Sequence, residues 1–203
     1  MIDKICTFLT NRIRKEMPEI DDERAEVIMY GLQNIIGELP KGFIIFLIAY
    51  LLGIFELTLI AVLFIAPYRG FSGGIHMKTH IGCIVATSII YSGSALIGKY
   101  VVLTGITKYL ITLIVWTFCM AMIKLYAPAD TENVPILRKQ ERRQKQIASY
   151  IILTVEFIIA LLINNPIITS IIIFGDLIQT LTITRFAYNI TDNKYGHEVY
   201  ANT

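Results

Sequence analysis

Charged residues are scarce in this chain. Only 17% of its 203 residues are Asp, Glu, Lys or Arg, whereas 55% are hydrophobic, and the mean hydropathy is +0.60. A water-soluble core does not need so apolar a composition. The formal net charge of +2 also provides no basic surface of the kind that binds nucleic acid. The composition predicts a membrane protein and excludes a soluble multidomain enzyme and a nucleic-acid binder.

Cysteine is scarce as well. Cys6, Cys83 and Cys119 are odd in number and widely spaced, so they neither frame a disulfide scaffold nor match a zinc ribbon. No GxxxxGK[ST] or GxGxxG motif follows an apolar segment, which argues against a nucleotide cofactor. We therefore expect a free thiol, no metal and no cofactor. The N-terminus lacks the continuous apolar run and small-residue cleavage site of a secretory signal peptide.

Residues 1–17 predict a basic amphipathic helix. Its apolar positions recur at helical spacing, with Lys and Arg between them: Ile2, Ile5, Cys6, Leu9 and Ile13. We expect this helix to lie on an anionic membrane surface. Pro18 is expected to end it, and the acidic residues 21–23 are expected to cap the next helix.

Five later apolar segments are each long enough, or nearly so, to cross a membrane. They are residues 42–66, 81–98, 101–123, 147–163 and 167–184. A sixth segment, residues 25–37, has only 13 residues, which is about 20 Å of helix against a hydrocarbon thickness of about 30 Å. We expect that helix to end at Gly37, with Pro40 just beyond it.

The positions of the basic residues favour six spans. Six spans place 15 of the 18 Lys and Arg residues in the cytoplasm, whereas five spans place 10 there at best, and basic loops stay cytoplasmic. We predict an all-α, multi-pass transmembrane helical bundle in the cell membrane, with residues 1–203 forming a single membrane domain. Both termini, a loop at 66–80 and a basic loop at 124–146 are then cytoplasmic, and membrane lipids surround the spans.

The loop at 66–80 carries the most unusual chemistry. It holds His76 and His80, two of the three histidines, and Cys83 follows shortly after. If a helix begins near Ile75, the spacings of four and three residues place both imidazoles and the thiol on one face. An imidazole beside a thiol suffices for a cysteine nucleophile, because the histidine takes the proton and the thiolate attacks. The alternative is a packing cysteine beside interfacial histidines.

Two other chemistries fit the same stretch. Residues 70–74 read Gly-Phe-Ser-Gly-Gly, so Ser72 is a candidate nucleophile of a rhomboid-type serine protease. That mechanism needs a histidine on a separate span, and the remaining one, His197, lies in the polar tail. The two loop histidines and Cys83 also have a spacing that permits metal binding. The Glu of a hydrolytic HExxH site is absent.

Carboxylates inside apolar spans are costly and are therefore functional candidates. Glu56, Glu156 and Asp176 are predicted to lie in spans, and any of them, or Asp130 of the basic loop, is a candidate third catalytic group. The sequence does not decide among them. The same carboxylates fit a different class of function, a small transporter or peptide permease in which they form an ion path.

Two motifs, taken together, carry a resemblance to a known family. The first is Arg69-x-x-x-Gly73-Gly74-x-His76, with Cys83 seven residues later. The second is the segment KLYAPADTENVPI at 124–136, followed by the basic residues 138–145. Over most of its length the chain resembles the accessory gene regulator B (AgrB) family, membrane cysteine endopeptidases of Gram-positive quorum sensing.

The resemblance implies that His76 and Cys83 are the catalytic pair. Arg69, Gly73 and Gly74 would support them by binding an oxyanion or positioning the substrate. The implied substrate and partner is a short AgrD-type precursor peptide, whose C-terminal tail is removed through a thioester on Cys83. An internal thiol or hydroxyl of the peptide then closes a thiolactone or lactone ring. A homodimer is the family expectation.

Overall fold

The structure of the protein is a computed structural model that describes residues 2–17, 19–77, 79–132 and 134–200. Within these ranges the chain is helical, without strands, and has two isolated β-bridges. The helices are α1 (Ile2–Glu16), α2 (Asp22–Leu51), α3 (Phe55–Ser72), α4 (His80–Tyr100), α5 (Gly105–Tyr126), α6 (Lys139–Leu162), α7 (Pro166–Thr182), α8 (Arg185–Ile190) and α9 (Gly196–Tyr200). The predicted all-α fold is confirmed.

The chain divides into two compact units, Met1–Leu47 and Ile48–Thr203. The first contains α1, which forms where the amphipathic pattern predicted a helix, and most of α2. Asp21 Oδ1 accepts the N–H of Arg24 at 2.8 Å, so the predicted acidic cap of α2 is present. The predicted single membrane domain stays a prediction, as does the interfacial position of α1.

The predicted boundary between the first two spans is wrong. Spans were expected at 25–37 and 42–66, on either side of Pro40. Instead α2 continues through Pro40 to Leu51, and α3 begins at Phe55. Apolar helices tolerate an internal proline where neighbouring groups satisfy the freed carbonyl. The apolar stretch that was expected to be one span is therefore divided between two helices.

The break between α2 and α3 lies at Gly53. This glycine has a φ of +64°, a value that suits a residue without a Cβ. The N–H of Ile54 bonds the carbonyl of Ala49 at 2.9 Å, and the N–H of Gly53 bonds that of Tyr50 at 3.0 Å. Ile54 also packs with Ala49 in a small buried cluster. Together these features form a Schellman cap, which ends the helix.

Four helices in the described part of the chain are long and apolar enough to cross a membrane, namely α3, α4, α5 and α6. Two other apolar segments, Leu39–Leu51 of α2 and all of α7, are shorter. The multi-pass membrane fold is confirmed, and the total of six spans stays a prediction. The basic run at 138–145 is almost wholly helical, because α6 begins at Lys139, so the connection after α5 is shorter than expected.

Helix α7 lies at the centre of the second unit and packs against α3, α4, α5 and α6. Asn165 caps its N-terminus by accepting the N–H groups of Ile167 and Ile168, in the turn that the sequence predicts. Helices approach closely at Gly98 of α4, where an added Cβ would lie 2.3 Å from the side chain of Ile171. Small residues at such contacts allow tight packing in membranes.

One end of the second unit joins the ends of α3, α5 and α7. The N–H of Ala129 donates to the carbonyl of Ser72 at 2.8 Å, and the N–H of Gly74 donates to the carbonyl of Ala129 at 3.0 Å. The N–H of Ile75 bonds the carbonyl of Thr182 at 3.2 Å. The segment between α3 and α4 is therefore tied to both the α5–α6 connection and α7.

The opposite end holds the α4–α5 and α6–α7 connections. The N–H of Leu103 donates to Ser170 Oγ at 3.0 Å. Lys108 Nζ donates to the carbonyls of Leu161 and Ile163 at 2.9 and 3.1 Å. A cation at these terminal carbonyls of α6 satisfies groups that a helix leaves without internal partners. These contacts place the α4–α5 and α6–α7 connections at the same end of the bundle.

Candidate active site

His76 and Cys83 lie side by side in the structure. His76 Nδ1 is 3.8 Å from Cys83 Sγ, close enough for a hydrogen bond to sulfur. The imidazole is exposed and the thiol is half-buried. His76 belongs to the non-helical segment at 73–77, whereas Cys83 belongs to α4. The two side chains therefore meet because the loop folds back on the helix.

The predicted helix start near Ile75 is wrong. Helix α4 begins at His80, and Thr79 is its N-cap, accepting the N–H of Gly82 at 3.0 Å. Threonine is a favoured N-cap, since its hydroxyl satisfies an N–H that the helix leaves free. Cys83 consequently lies at the end of the first turn.

Gly73 and Gly74 have backbone conformations that other residues avoid, with φ values of +74° and +142°. A Cβ added to Gly73 would lie 2.2 Å from the carbonyl oxygen of Ala129, and a Cβ added to Gly74 would lie 2.6 Å from Thr182 Oγ1. Their N–H groups donate to the carbonyls of Arg69 and Ala129 at 2.9 and 3.0 Å. Neither group is free in this structure to bind an oxyanion, the first of the roles expected for these glycines.

Arg69, the other supporting residue, is bonded within the site. Its Nη1 donates to Gln179 Oε1 at 2.8 Å, and its Nη2 donates to the carbonyl of Ile75 at 2.9 Å. The guanidinium therefore joins α3, α7 and the loop that carries His76. These contacts favour a role in positioning the loop over a free clamp on the substrate.

A cavity of about 300 Å³ opens beside His76. Its walls are the end of α3, the loop that carries His76, the α5–α6 connection and Lys145 of α6. Two cations, Arg69 and Lys145, and one carboxylate, Asp130, line this cavity, so its lining is basic on balance. Lys145 also pairs with Glu141 at 3.3 Å. On the other side of the loop, Ile75 and Met77 line a second, largely apolar cavity between α4 and α7.

Asp130 lies in the cavity wall and holds the C-terminal tail. Its buried carboxylate accepts the N–H of His197 at 2.8 Å and contacts His197 Nδ1 at 2.6 Å. The N–H of Ile136 donates to it at 2.9 Å, and Arg142 Nη1 lies 3.3 Å away. Burial alone raises the pKa of Asp130, but the bonds from His197 and Ile136 and the charge of Arg142 outweigh it and lower that pKa.

Ser72, the alternative nucleophile, is fully buried. Its Oγ accepts from Gln179 Nε2 at 3.2 Å and donates to the carbonyl of Gly73 at 3.4 Å. A hydroxyl enclosed in this way is not presented to a substrate. For the metal alternative, the side chain of His80 lies outside the described residues. Among those described, no three His, Cys, Asp or Glu residues are grouped to hold a metal ion.

The three carboxylates expected inside spans have different surroundings. Glu56 is exposed in the first turn of α3, so its expected position well inside a span is wrong because the helices separate at Gly53. Glu156 of α6 and Asp176 of α7 are buried and close enough to interact with each other. These two remain candidates for function within the bundle.

Two residues with structural links to the site were not chosen from the sequence. The first is Gln179, for which a glutamine inside an apolar span was a detectable signal, since buried amides need partners. His197 gave no local signal, because its contact with Asp130 joins positions 67 residues apart. Such a contact depends on the folded path of the tail.

Known proteins are similar to this chain over most of its length. The family model described as "Accessory gene regulator B" matches residues 6–183. An accessory gene regulator protein B of Staphylococcus aureus (strain Newman) is 29% identical over 182 residues, covering 90% of both chains. A putative AgrB-like protein of Clostridium perfringens (strain SM101 / Type A) is 28% identical, covering 80% of this chain and 77% of its own. A putative AgrB-like protein of Listeria monocytogenes serotype 4a (strain HCC23) is 26% identical, covering 93% of this chain and 91% of its own. No solved structure matches significantly. The chain belongs to the accessory gene regulator B family.

Proposed function

We propose that this protein is a membrane cysteine endopeptidase that also cyclises its product. The substrate is a short AgrD-type precursor peptide, and the product is a thiolactone or lactone autoinducing peptide for quorum sensing. The observation that carries the proposal is the 3.8 Å separation of His76 Nδ1 and Cys83 Sγ at the N-terminus of α4. No metal or organic cofactor takes part in the proposed steps.

The first step forms an acyl-enzyme. The neutral imidazole of His76 carries its proton on Nε2, so that Nδ1 accepts the proton of the Cys83 thiol. The thiolate attacks the scissile carbonyl, and the C–N bond breaks as the imidazolium protonates the leaving amine. The tail departs with a free amino group, and the rest of the peptide remains as a thioester on Cys83.

The second step closes the ring. An internal thiol of the peptide gives its proton to His76 and attacks the thioester carbonyl. The bond to Cys83 breaks, and the imidazolium returns a proton to the departing thiolate. One thioester replaces another, so the exchange is nearly isoenergetic and consumes no water. Restricted water access at a membrane boundary protects the intermediate from hydrolysis.

The geometry also gives the substrate a direction. His76 lines the basic cavity, and it is the residue that protonates the leaving amine. The departing tail therefore lies in this cavity, near Arg69 and Lys145, where acidic side chains are favoured. The acyl portion stays with Cys83 on the α4 side of the loop. We include in the proposal a homodimer in the cell membrane, with the site on the cytoplasmic face.

The test is coexpression with an AgrD-type precursor peptide, followed by mass analysis of the product. Cys83→Ala and His76→Ala should abolish cleavage, because each removes one member of the pair. Cys6→Ala, a matched thiol control outside the site, should leave it unchanged. Ser72→Ala and His80→Ala should keep most activity. An inactive Ser72→Ala beside an active Cys83→Ala would overturn the proposal in favour of a serine protease.

A second candidate function rests on Glu156 and Asp176. Two neighbouring buried carboxyls within a membrane bundle are the kind of feature that cation-coupled transporters use. A permease would lose peptide transport in Asp176→Asn while Cys83→Ala transported normally. An endopeptidase would instead lose peptide cleavage in Cys83→Ala and keep it in Asp176→Asn, so the same two variants separate the two functions.

A further inference from the structure

Gln179 is fully buried in α7 and contacts the loop between α3 and α4. Its Nε2 donates to the carbonyl of Gly73 at 2.8 Å and to Ser72 Oγ at 3.2 Å. Its Oε1 accepts from Arg69 Nη1 at 2.8 Å. A carbonyl only accepts and a guanidinium only donates, so these partners fix the orientation of the amide. Both ends of the side chain are used.

Arg69 extends this bonding to the residue before His76. Its Nη2 donates to the carbonyl of Ile75 at 2.9 Å. The N–H of Ile75 in turn donates to the carbonyl of Thr182, one turn after Gln179 in α7. The loop is therefore held to α7 both before and after Gly74. The path from the Gln179 amide to the His76 imidazole therefore runs through the hydrogen bonds of Arg69 and then along the backbone from Ile75 to His76.

We infer that Gln179 is a positioning residue for the reaction proposed above. Acting through Arg69, it holds the Ile75 carbonyl and thereby sets the separation of the His76 imidazole and the Cys83 thiol. His76 is on a loop and Cys83 is on α4, so their geometry depends on what holds the loop. The inference rests on the proposed function, because it assigns Gln179 a part in the same reaction.

Three variants separate the contributions of the side chain. Gln179→Met has a similar shape and removes both the donor and the acceptor. Gln179→Glu keeps an acceptor for Arg69 and removes the donor to Gly73. The matched control is Thr180→Val, since Thr180 is a fully buried neighbour on α7 whose hydroxyl bonds Tyr68 at 2.8 Å and not the loop.

The experiment uses the full chain in lipid nanodiscs. The rate at which iodoacetamide alkylates Cys83 is followed against pH by peptide mass analysis, because this rate reports the thiolate that His76 stabilises. The kcat and KM for the precursor peptide and the melting temperature are measured on the same samples. A purely structural residue would change the melting temperature and leave the alkylation profile of the folded protein unchanged.

Gln179→Met should lower kcat on the order of 10- to 100-fold with KM unchanged, because a misplaced base costs rate more than binding. Its alkylation profile should approach that of His76→Ala. Gln179→Glu should fall between Gln179→Met and the wild type, and Thr180→Val should keep the wild-type profile. Gln179→Glu also tests the inference if Gln179→Met does not fold.

Two results would overturn the inference: one leaves the proposed function intact, and the other overturns it as well. If His76→Ala alters the alkylation profile but both Gln179 variants keep the wild-type profile and kcat, the positioning role alone is wrong. If His76→Ala itself leaves both the profile and cleavage unchanged, the catalytic pair is wrong, and the inference falls with the proposed function.

Discussion

Asp130 and His197 are 67 positions apart in sequence, yet His197 Nδ1 lies 2.6 Å from Asp130 Oδ1. The preceding residue, Ala129, forms a β-bridge with Gly73 of the candidate active-site loop. The C-terminal tail is therefore linked to that loop through only two consecutive residues of the α5–α6 connection. Gly196 adds to this contact, since an added Cβ there would lie 2.3 Å from the carbonyl oxygen of Thr131.

The link predicts a pH dependence of stability. The pKa of Asp130 is lowered in the folded protein, so its contribution is complete above the unfolded pKa of about 4 and is lost as pH falls through the lower folded value. Asp130→Asn should lower stability at neutral pH by about 2 kcal/mol, because it removes the negative charge that the partly buried His197 and Arg142 contact. Melting temperatures from pH 7 down to pH 3 measure both effects.

The control for this prediction is Glu132→Gln, which removes a neighbouring, more exposed carboxylate that pairs with Lys194 at 3.5 Å. That variant should follow the wild-type curve. As pH falls below about 4, the melting temperatures of the wild type and Asp130→Asn should begin to converge. Equal melting temperatures of the two proteins at neutral pH would contradict the structural role of the link.

Gly73 gives a second prediction. Gly73→Ala should abolish cleavage, because the positive φ costs roughly 1–3 kcal/mol for a residue with a Cβ and the new methyl would overlap the carbonyl oxygen of Ala129. The matched control is Gly42→Ala, a position with nothing within 4 Å of an added Cβ. Product mass and the folded fraction are measured together. Wild-type cleavage by Gly73→Ala would contradict the geometry of the loop.

The sequence predicted the helical class of the fold because apolar length and composition are local properties. The His76 and Cys83 pair was also predicted, although by a wrong route. Helical spacing from Ile75 was expected to bring the residues together, whereas the loop folds back to α4 and reaches the same pairing. Thr79 was available as an N-cap signal for the true start of the helix.

Other features depended on competing or distant interactions. Pro40 was taken as a helix boundary, but Gly53 and its Schellman cap form the boundary instead, and local rules do not rank two such signals. The partners of Asp130 and Gln179 come from segments far along the chain. A buried polar residue signals that a partner exists, and only the fold identifies it.

The third prediction concerns topology. The contacts at each end of the second unit show which loops lie together. Glu132 and Asn189 lie at the active-site end, whereas Thr104 and Asn164 lie at the opposite end. All four positions are exposed. In a protein without other cysteines, single cysteines at Thr104 and Asn164 should react with an impermeant maleimide in intact cells. Those at Glu132 and Asn189 should react only after permeabilisation, because basic loops stay inside.

Labelling of all four positions would show that the reagent crosses the membrane, and labelling of none would show that it does not react. A cytosolic and an outward-facing reference protein, labelled in the same cells, exclude both artefacts. The reverse pattern, with Glu132 and Asn189 labelled in intact cells, would contradict a cytoplasmic active site.

The fourth prediction separates cyclisation from ordinary hydrolysis. A precursor peptide whose internal thiol is replaced by a methyl group should still be cut once, because the nucleophile for that step is Cys83. Without the thiol, the peptide should remain on Cys83 as a thioester. Intact-protein mass analysis would detect this adduct, and hydroxylamine should remove it.

A serine-substituted peptide provides the graded comparison. Its ring should close more slowly than that of the thiol peptide, because a hydroxyl is almost wholly un-ionised near neutral pH while a thiol is a few per cent thiolate. Linear peptide should appear slowly from the methyl variant, because the proposed mechanism requires water to be restricted at the site. Rapid, repeated turnover of that variant to linear acid, with no adduct on Cys83, would identify a simple hydrolase and exclude the two-step mechanism.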